Sequence, residues 1–121
     1  MADAAVTKEA EKIQDLAKQS CQACQGGAAA LAGEALRAMS QKLGADWRVV
    51  DGQRLEKEFK FDDFRGALDF TNRVGELAED QNHHPDIYLA YGEVRLSIWT
   101  HKVNGLTEND FVLAAKIEGL R

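Results

Sequence analysis

The stretch Asp51-Gly-Gln-Arg-Leu-Glu-Lys-Glu-Phe-Lys-Phe61 carries the two signals that define the fold. Asp51-Gly52 is a strong signal for a β-hairpin turn, and it joins a short strand predicted at 47–50 to a second strand at 54–61. Every second residue of the second strand falls on one face, and that face is mostly apolar: Leu55, Lys57, Phe59 and Phe61. This alternation is typical of an antiparallel sheet that is covered on one side.

A second hairpin is predicted around Gly92, with strands at 87–91 and 94–99. Its second strand directs apolar side chains to one face at every other position, namely Val94, Leu96 and Ile98. The chain therefore contains two hairpins, which supply the four strands of one antiparallel sheet.

Apolar residues at intervals of three and four predict helices over 28–43 and from Phe64 to about Gln81. Asp62 or Asp63 is suited to cap the second of these helices, and Pro85 prevents its continuation. Thr107-Glu-Asn-Asp110 has the form of a capping box at the start of a third helix. We predict an α+β fold in the order αββαββα, with a four-stranded antiparallel sheet and the helices packed on one face.

The chain has 121 residues, enough for one compact domain. Gly26-Gly27 marks a boundary between an N-terminal extension at 1–25, helical or partly flexible, and a domain at 26–121. Cys21 and Cys24 form a single C-x-x-C in the extension. A structural or incidental role is favoured for them, with redox chemistry or half of a zinc site as the alternatives.

The net charge of −5 and the absence of a basic face argue against direct nucleic-acid binding. No apolar run approaches the length of a bilayer span, and the first residues lack the features of a signal peptide. We expect a cytoplasmic protein with no membrane association.

All three histidines lie between positions 83 and 101, and we expect them to meet in space. If the second helix reaches His83, Glu79 lies one turn back and holds that imidazole in one tautomer. His84 must leave the helix ahead of the proline, and His101 follows the last strand. Histidine is the side chain best suited to proton transfer near neutral pH.

Simpler roles are open for the same residues. The two adjacent histidines fit a helix C-terminus, where cations are favoured. On local evidence, Asp110 is more readily explained as a helix cap. A metal site is disfavoured because adjacent histidines diverge and no regular ligand spacing is present. Trp99 and Tyr91 are expected to serve in core or hairpin packing.

Beyond these local patterns, the sequence resembles the pterin-4a-carbinolamine dehydratase family, also called 4a-hydroxytetrahydrobiopterin dehydratases. The motif is Glu79-x-x-x-His83-His84-Pro85, followed after five residues by Tyr91, after nine by His101 and after eight by Asp110. The similarity covers approximately Ala28 to the C-terminus, and further family features within it are Trp47, Phe59-x-Phe61, Asp63-Phe64 and Thr100-His101.

The resemblance implies a hydro-lyase that converts 4a-hydroxytetrahydropterin to quinonoid dihydropterin and water, and so recycles the pterin cofactor of aromatic amino-acid hydroxylases. It assigns pterin binding and acid/base catalysis to His83, His84 and His101, supported by Glu79 and Asp110. We assign one proton transfer to His83, oriented by Glu79, and the other to His101, while His84 positions the pterin. No metal and no added cofactor are implied.

Two further expectations follow from the resemblance. Family members form homodimers or homotetramers, and a functional link to an aromatic amino-acid hydroxylase is possible. The alternative function is a protein-interaction module, of the kind that stabilises dimers of a transcription factor, with a vestigial or secondary pterin site. Retention of all three histidines favours the enzyme.

Overall fold

The computed structural model describes residues 17–18, 30–44 and 46–120. Within them the chain has the predicted order αββαββα and confirms the α+β fold. A short 3-10 helix at His101–Val103 lies between the last strand and the last helix. The elements are α1 (Gly33–Leu43), β1 (Arg48–Val50), β2 (Arg54–Lys60), α2 (Phe64–Gln81), β3 (Asp86–Ala90), β4 (Glu93–Ile98) and α3 (Glu108–Glu118).

The four strands form one antiparallel sheet in the order β1-β2-β4-β3. The two hairpins are joined along their inner strands, where Leu55 pairs with Ile98 and Phe59 with Val94. The side chains predicted to face inward on β4 are buried, which confirms the alternation. Because β2 and β4 are central, their apolar faces form the floor of the core.

The first hairpin turn has the backbone geometry that its sequence predicts. Asp51 and Gly52 both have positive φ, at 55° and 68°, and the Gln53 amide donates a hydrogen bond to the Val50 carbonyl at 2.9 Å. Two successive left-handed residues define a type I′ turn, whose twist matches that of the strands it joins.

The core lies between the sheet and the helices. The Phe59 ring is centred 4.7 Å from Phe70 of α2 and 5.9 Å from Trp47. Lys57 also faces inward, and its ammonium donates to Glu118 Oε2 of α3 at 2.6 Å. The Trp47 indole N–H donates to the same oxygen at 3.0 Å. The single charged residue on the inner face of β2 is therefore paired, as a buried charge must be.

Both ends of α2 are capped by side chain or backbone. Asp63 accepts a hydrogen bond from the Gly66 amide at 2.8 Å, which identifies the N-cap among the two candidates. At the other end Asn82 is left-handed, with φ 53°, and the His83 amide donates to the Ala78 carbonyl at 3.1 Å. This is a Schellman ending. The helix ends at Gln81, as its periodicity predicts, so the condition that it extends to His83 is not met.

Most of the predicted N-terminal extension, including Cys21 and Cys24, lies outside the described residues. Ala17 is helical, and its carbonyl accepts a hydrogen bond from Lys116 Nζ of α3 at 2.6 Å. Across the described ranges, no helix is both long enough and apolar enough to cross a membrane.

Candidate active site

One cleft contains all three histidines. It has a volume of about 160 Å³ and lies where α2 ends and β4 passes into the 3-10 helix. The structure thus brings together the imidazoles that the sequence separates by up to eighteen positions. The lining residues are Asn82, His83, His84, Trp99, Thr100, His101 and Lys102.

His83 is the buried member of the three, with 8% of its surface exposed. The left-handed turn at Asn82 directs it away from the helix axis and toward the start of α3. There its Nε2 lies 2.6 Å from Oδ1 of Asp110, a residue that is completely buried. The histidine is held by a carboxylate distant in sequence and close in space.

Asp110 has a second set of partners at its other oxygen. Oδ2 accepts from the Thr107 amide at 2.8 Å and from the Thr100 hydroxyl at 2.7 Å. Since the Thr100 hydroxyl donates to Asp110, its own oxygen is free to accept from the Thr107 hydroxyl at 2.9 Å. Asp110 therefore caps α3, as its position predicts, and also binds His83.

These contacts fix the tautomer of His83. Oδ2 of Asp110 already accepts from the Thr107 amide and the Thr100 hydroxyl, and Oδ1 is left as the acceptor that faces His83. An ionised carboxylate only accepts, so the proton between the two groups belongs to His83 Nε2. Nδ1 is then the atom of this ring that remains for a ligand.

His84 has a different carboxylate. Its Nε2 lies 2.5 Å from Oε2 of Glu79, and both side chains are largely exposed. The prediction that Glu79 orients His83 is therefore wrong. Because α2 ends before His83, the chain turns and places His84, rather than His83, within reach of Glu79.

His101 lies in the short 3-10 helix and packs on Trp99, with ring centroids 4.5 Å apart. Its imidazole has no hydrogen-bond partner among the residues that the structure describes. The segment closes on itself, because the Thr100 amide donates to the Gly105 carbonyl at 2.8 Å and Asn104 is left-handed. This turn presents His101 to the cleft.

Four lining residues were not predicted as part of the site, namely Asn82, Trp99, Thr100 and Lys102, and two of them add an aromatic wall and a charge. Trp99 was expected in core or hairpin packing; it does pack against the core, but it also forms a wall of the cleft. Lys102 adds a cation beside His101. Their positions next to His101 were the only available signal. Tyr91, in contrast, is 74% exposed at the second hairpin turn.

The comparison with known families covers the part of the chain that forms this cleft. The model of the family described as pterin 4 alpha carbinolamine dehydratase matches residues 29–120, which include every histidine and both carboxylates of the site. The chain belongs to this family. The resemblance inferred from the motif is thereby confirmed, and the cleft lies within the matched region.

Curated members of the pterin carbinolamine dehydratase family are similar over nearly all of their length. A protein of Rubrobacter xylanophilus is 50% identical over 108 residues, which are 89% of this chain and all of the relative. One from Alkaliphilus metalliredigens is 41% identical over 106 residues, covering 88% of this chain and 96% of the relative. Both are provisionally named pterin-4-alpha-carbinolamine dehydratases.

Solved structures of similar proteins share the fold. A crystal structure of a transcriptional coactivator/pterin dehydratase from Brucella melitensis is 32% identical, with a TM-score of 0.69, and covers 75% of this chain and 97% of its own. A pterin dehydratase-like RuBisCO assembly factor of the alpha-carboxysome is 21% identical, with a TM-score of 0.55, over 64% of this chain and 92% of its own. The second likeness concerns the fold alone.

Proposed function

We propose that this protein is a 4a-hydroxytetrahydropterin dehydratase, which releases water and quinonoid dihydropterin. The observation that carries the proposal is one cleft with three imidazoles, of which one has its proton position set by a buried carboxylate. Membership of the pterin carbinolamine dehydratase family and the provisional names of its relatives support the same reaction.

The reaction requires two proton transfers. The substrate carries a hydroxyl on C4a and a proton on the neighbouring N5. The C4a–O bond breaks, a C4a=N5 double bond forms, N5 loses its proton and the departing oxygen gains one. An acid and a base placed on either side of this pair of atoms accelerate the step, and imidazoles serve in both roles near neutral pH.

We assign the three histidines different roles on the basis of their contacts. His83 is buried and fixed by Asp110, so Nδ1 is presented in a constant direction. His101 is exposed, without a hydrogen-bond partner in the described ranges, and is available to exchange protons with solvent. We assign one proton transfer to each of these two. His84, tethered to exposed Glu79, positions the pterin.

In this assignment, side chains of the protein supply both the acid and the base. Imidazoles perform both transfers, so the proposed reaction uses no cofactor. Its product is the oxidised form of a tetrahydropterin, and a reductase would return it to use by an aromatic amino-acid hydroxylase. We therefore place the protein in pterin cofactor recycling, functionally linked to such a hydroxylase.

The test is the dehydration rate of a synthetic 4a-hydroxytetrahydropterin with each histidine replaced in turn. His83→Ala and His101→Ala should each lower kcat by about 10²-fold or more, the usual range for a general acid or base. His84→Ala should mainly raise KM. Arg65→Ala, exposed in the first turn of α2 at the end opposite the histidines, is the control. Wild-type rates in all three histidine variants would refute the proposal.

An interaction module is the second candidate. The Brucella melitensis relative is described as both a coactivator and a pterin dehydratase, and in this chain β3 is an edge strand with Ile87 and Tyr88 exposed. Exposed apolar residues on an unpaired edge suit association with another chain. The same surface fits the homodimer or homotetramer that we propose for the native state. Light scattering measures this association: the wild-type protein should have the mass of a dimer or tetramer, and Tyr88→Lys should lower that mass.

A further inference from the structure

We infer that the site takes pterins whose substituent at C6 ends in a carboxylate, and that Arg54, assisted by Lys102, binds this charge. This inference rests on the proposed dehydratase function. It concerns a second cleft, which adjoins the histidine cleft and has no part in the proton transfers.

The second cleft has a volume of about 250 Å³ and is lined by Gln53, Arg54, Trp99 and Asn104. Trp99 lines both clefts, so the indole is the wall that they share. Apart from this ring, the second cleft offers two amide side chains and a guanidinium. Its lining is suited to a polar ligand group and to stacking on Trp99.

Arg54 is the charged group of this cleft. Its Cζ lies 5.6 Å from the centroid of the Trp99 ring, and its side chain is partly buried. No described carboxylate forms an ion pair with it, whereas Arg48 on the same hairpin pairs with Glu56 at 3.8 Å. A planar guanidinium that is positioned by an aromatic ring and lacks an acid is well suited to bind a carboxylate through two parallel hydrogen bonds.

Lys102 places a second cation on the histidine side of Trp99. It lines the first cleft, is exposed, and forms no ion pair with a described residue. The net charge of the chain is −5, so positive potential around Trp99 is a local property of this site and not of the whole surface. Two cations beside one ligand path attract an anionic ligand more strongly than a neutral one.

A bound pterin with a long C6 substituent would span both clefts. C6 is separated from C4a only by N5, so when the reacting atoms lie among the histidines the C6 substituent begins beside them. The histidine cleft, at about 160 Å³, is smaller than a typical site for a drug-sized ligand, and a long substituent must extend beyond it. The ring centroids of His101 and Trp99 are 4.5 Å apart, and Arg54 Cζ lies 5.6 Å from the Trp99 centroid. A substituent that follows the indole from the histidines therefore reaches Arg54.

A matched pair of ligands tests the charge alone. Pteroate has a pterin ring, an aryl linker and a terminal carboxylate, and its primary amide has the same shape without the charge. Titration calorimetry with the full-length protein should show that pteroate binds about tenfold more tightly than the amide, as expected for one charge-assisted contact. Raising the salt concentration should reduce this preference, because both cations are accessible to solvent.

Variants locate the preference. Arg54→Gln should abolish the preference for pteroate over its amide, Arg54→Lys should retain part of it, and Lys102→Gln should weaken it. Arg48→Gln, on the same hairpin and paired with Glu56, should leave it intact.

The outcomes separate this inference from the proposed function. Equal affinity for the two ligands in the wild-type protein, or a preference that survives Arg54→Gln, would overturn the inference while the pterin site stands. If neither ligand binds and 4a-hydroxytetrahydropterin is not dehydrated, the proposed function and the inference are both refuted.

Discussion

Replacing Asp110 with asparagine changes one oxygen of the most highly connected side chain in the site. The wild-type carboxylate is completely buried and accepts hydrogen bonds from His83, Thr100 and Thr107 at 2.6, 2.7 and 2.8 Å. In Asp110→Asn the remaining oxygen can still accept from the two threonines. The amide NH₂ then faces His83 Nε2, which must accept instead of donate, so the imidazole proton moves to Nδ1.

Both stability and turnover should fall. A hydrogen bond to a buried charged group contributes about 1.5–3 kcal/mol, and the variant loses the charge while it keeps part of the network, so we expect a loss of about 3 kcal/mol in the free energy of unfolding. The tautomer change affects the nitrogen that we assign to proton transfer. We therefore expect kcat to fall by about 10²-fold, within the range of general acid–base catalysis.

A double-mutant cycle distinguishes positioning from simple destabilisation. Asp110→Asn should lower kcat strongly in the wild-type background and only slightly in a His83→Gln background, because its effect passes through His83. Asp63→Ala removes the N-cap carboxylate of α2, far from the histidines, and should cost about 1 kcal/mol of stability with no change in kcat. A folded Asp110→Asn protein with wild-type kcat would show that Asp110 does not position His83 for proton transfer.

The other predictions concern residues with simpler environments. Phe59→Ala should lower the free energy of unfolding by about 3–5 kcal/mol in urea titrations, because the ring is 1% exposed in the core. Gly92→Ala should destabilise the protein, since Gly92 has φ 72° and a Cβ there would lie 3.0 Å from a backbone oxygen. Gly75→Ala, in a helix with open space around the added Cβ, should stabilise the protein by about 0.5–1 kcal/mol, and thermal melts compare the two variants. Glu79→Gln should change kcat by less than about threefold, because its exposed pair with His84 holds a residue that acts in binding.

The sequence was sufficient to predict the frame because its signals were local. Strand alternation, the Asp51-Gly52 turn and helical spacing each report on a few neighbouring residues, and all agree with the observed order. The strand order β1-β2-β4-β3 was not predicted. It depends on which strands of the two hairpins meet, and this is decided by tertiary packing.

The convergence of the three histidines was predicted from the sequence, but the carboxylates that His83 and His84 contact were not. The grouping of the histidines followed from their spacing and from the family resemblance. The partner of His83 did not, because it depends on one left-handed residue, Asn82, and on Asp110 of a different helix. The expected contact between Glu79 and His83 required α2 to extend two residues further, to His83, whereas the helix ends at Gln81 and Glu79 contacts His84. Element boundaries are the least predictable feature of a sequence, and this site depends on one.

The most direct measurement is the rate of water loss from a 4a-hydroxytetrahydropterin with and without the wild-type protein, followed by absorbance as the quinonoid product forms. We predict saturable acceleration over the rate in buffer alone. The acceleration should be largely lost in His83→Ala and in His101→Ala, and it should be retained in Arg65→Ala. A wild-type protein that is folded and leaves the rate equal to that in buffer would contradict this prediction.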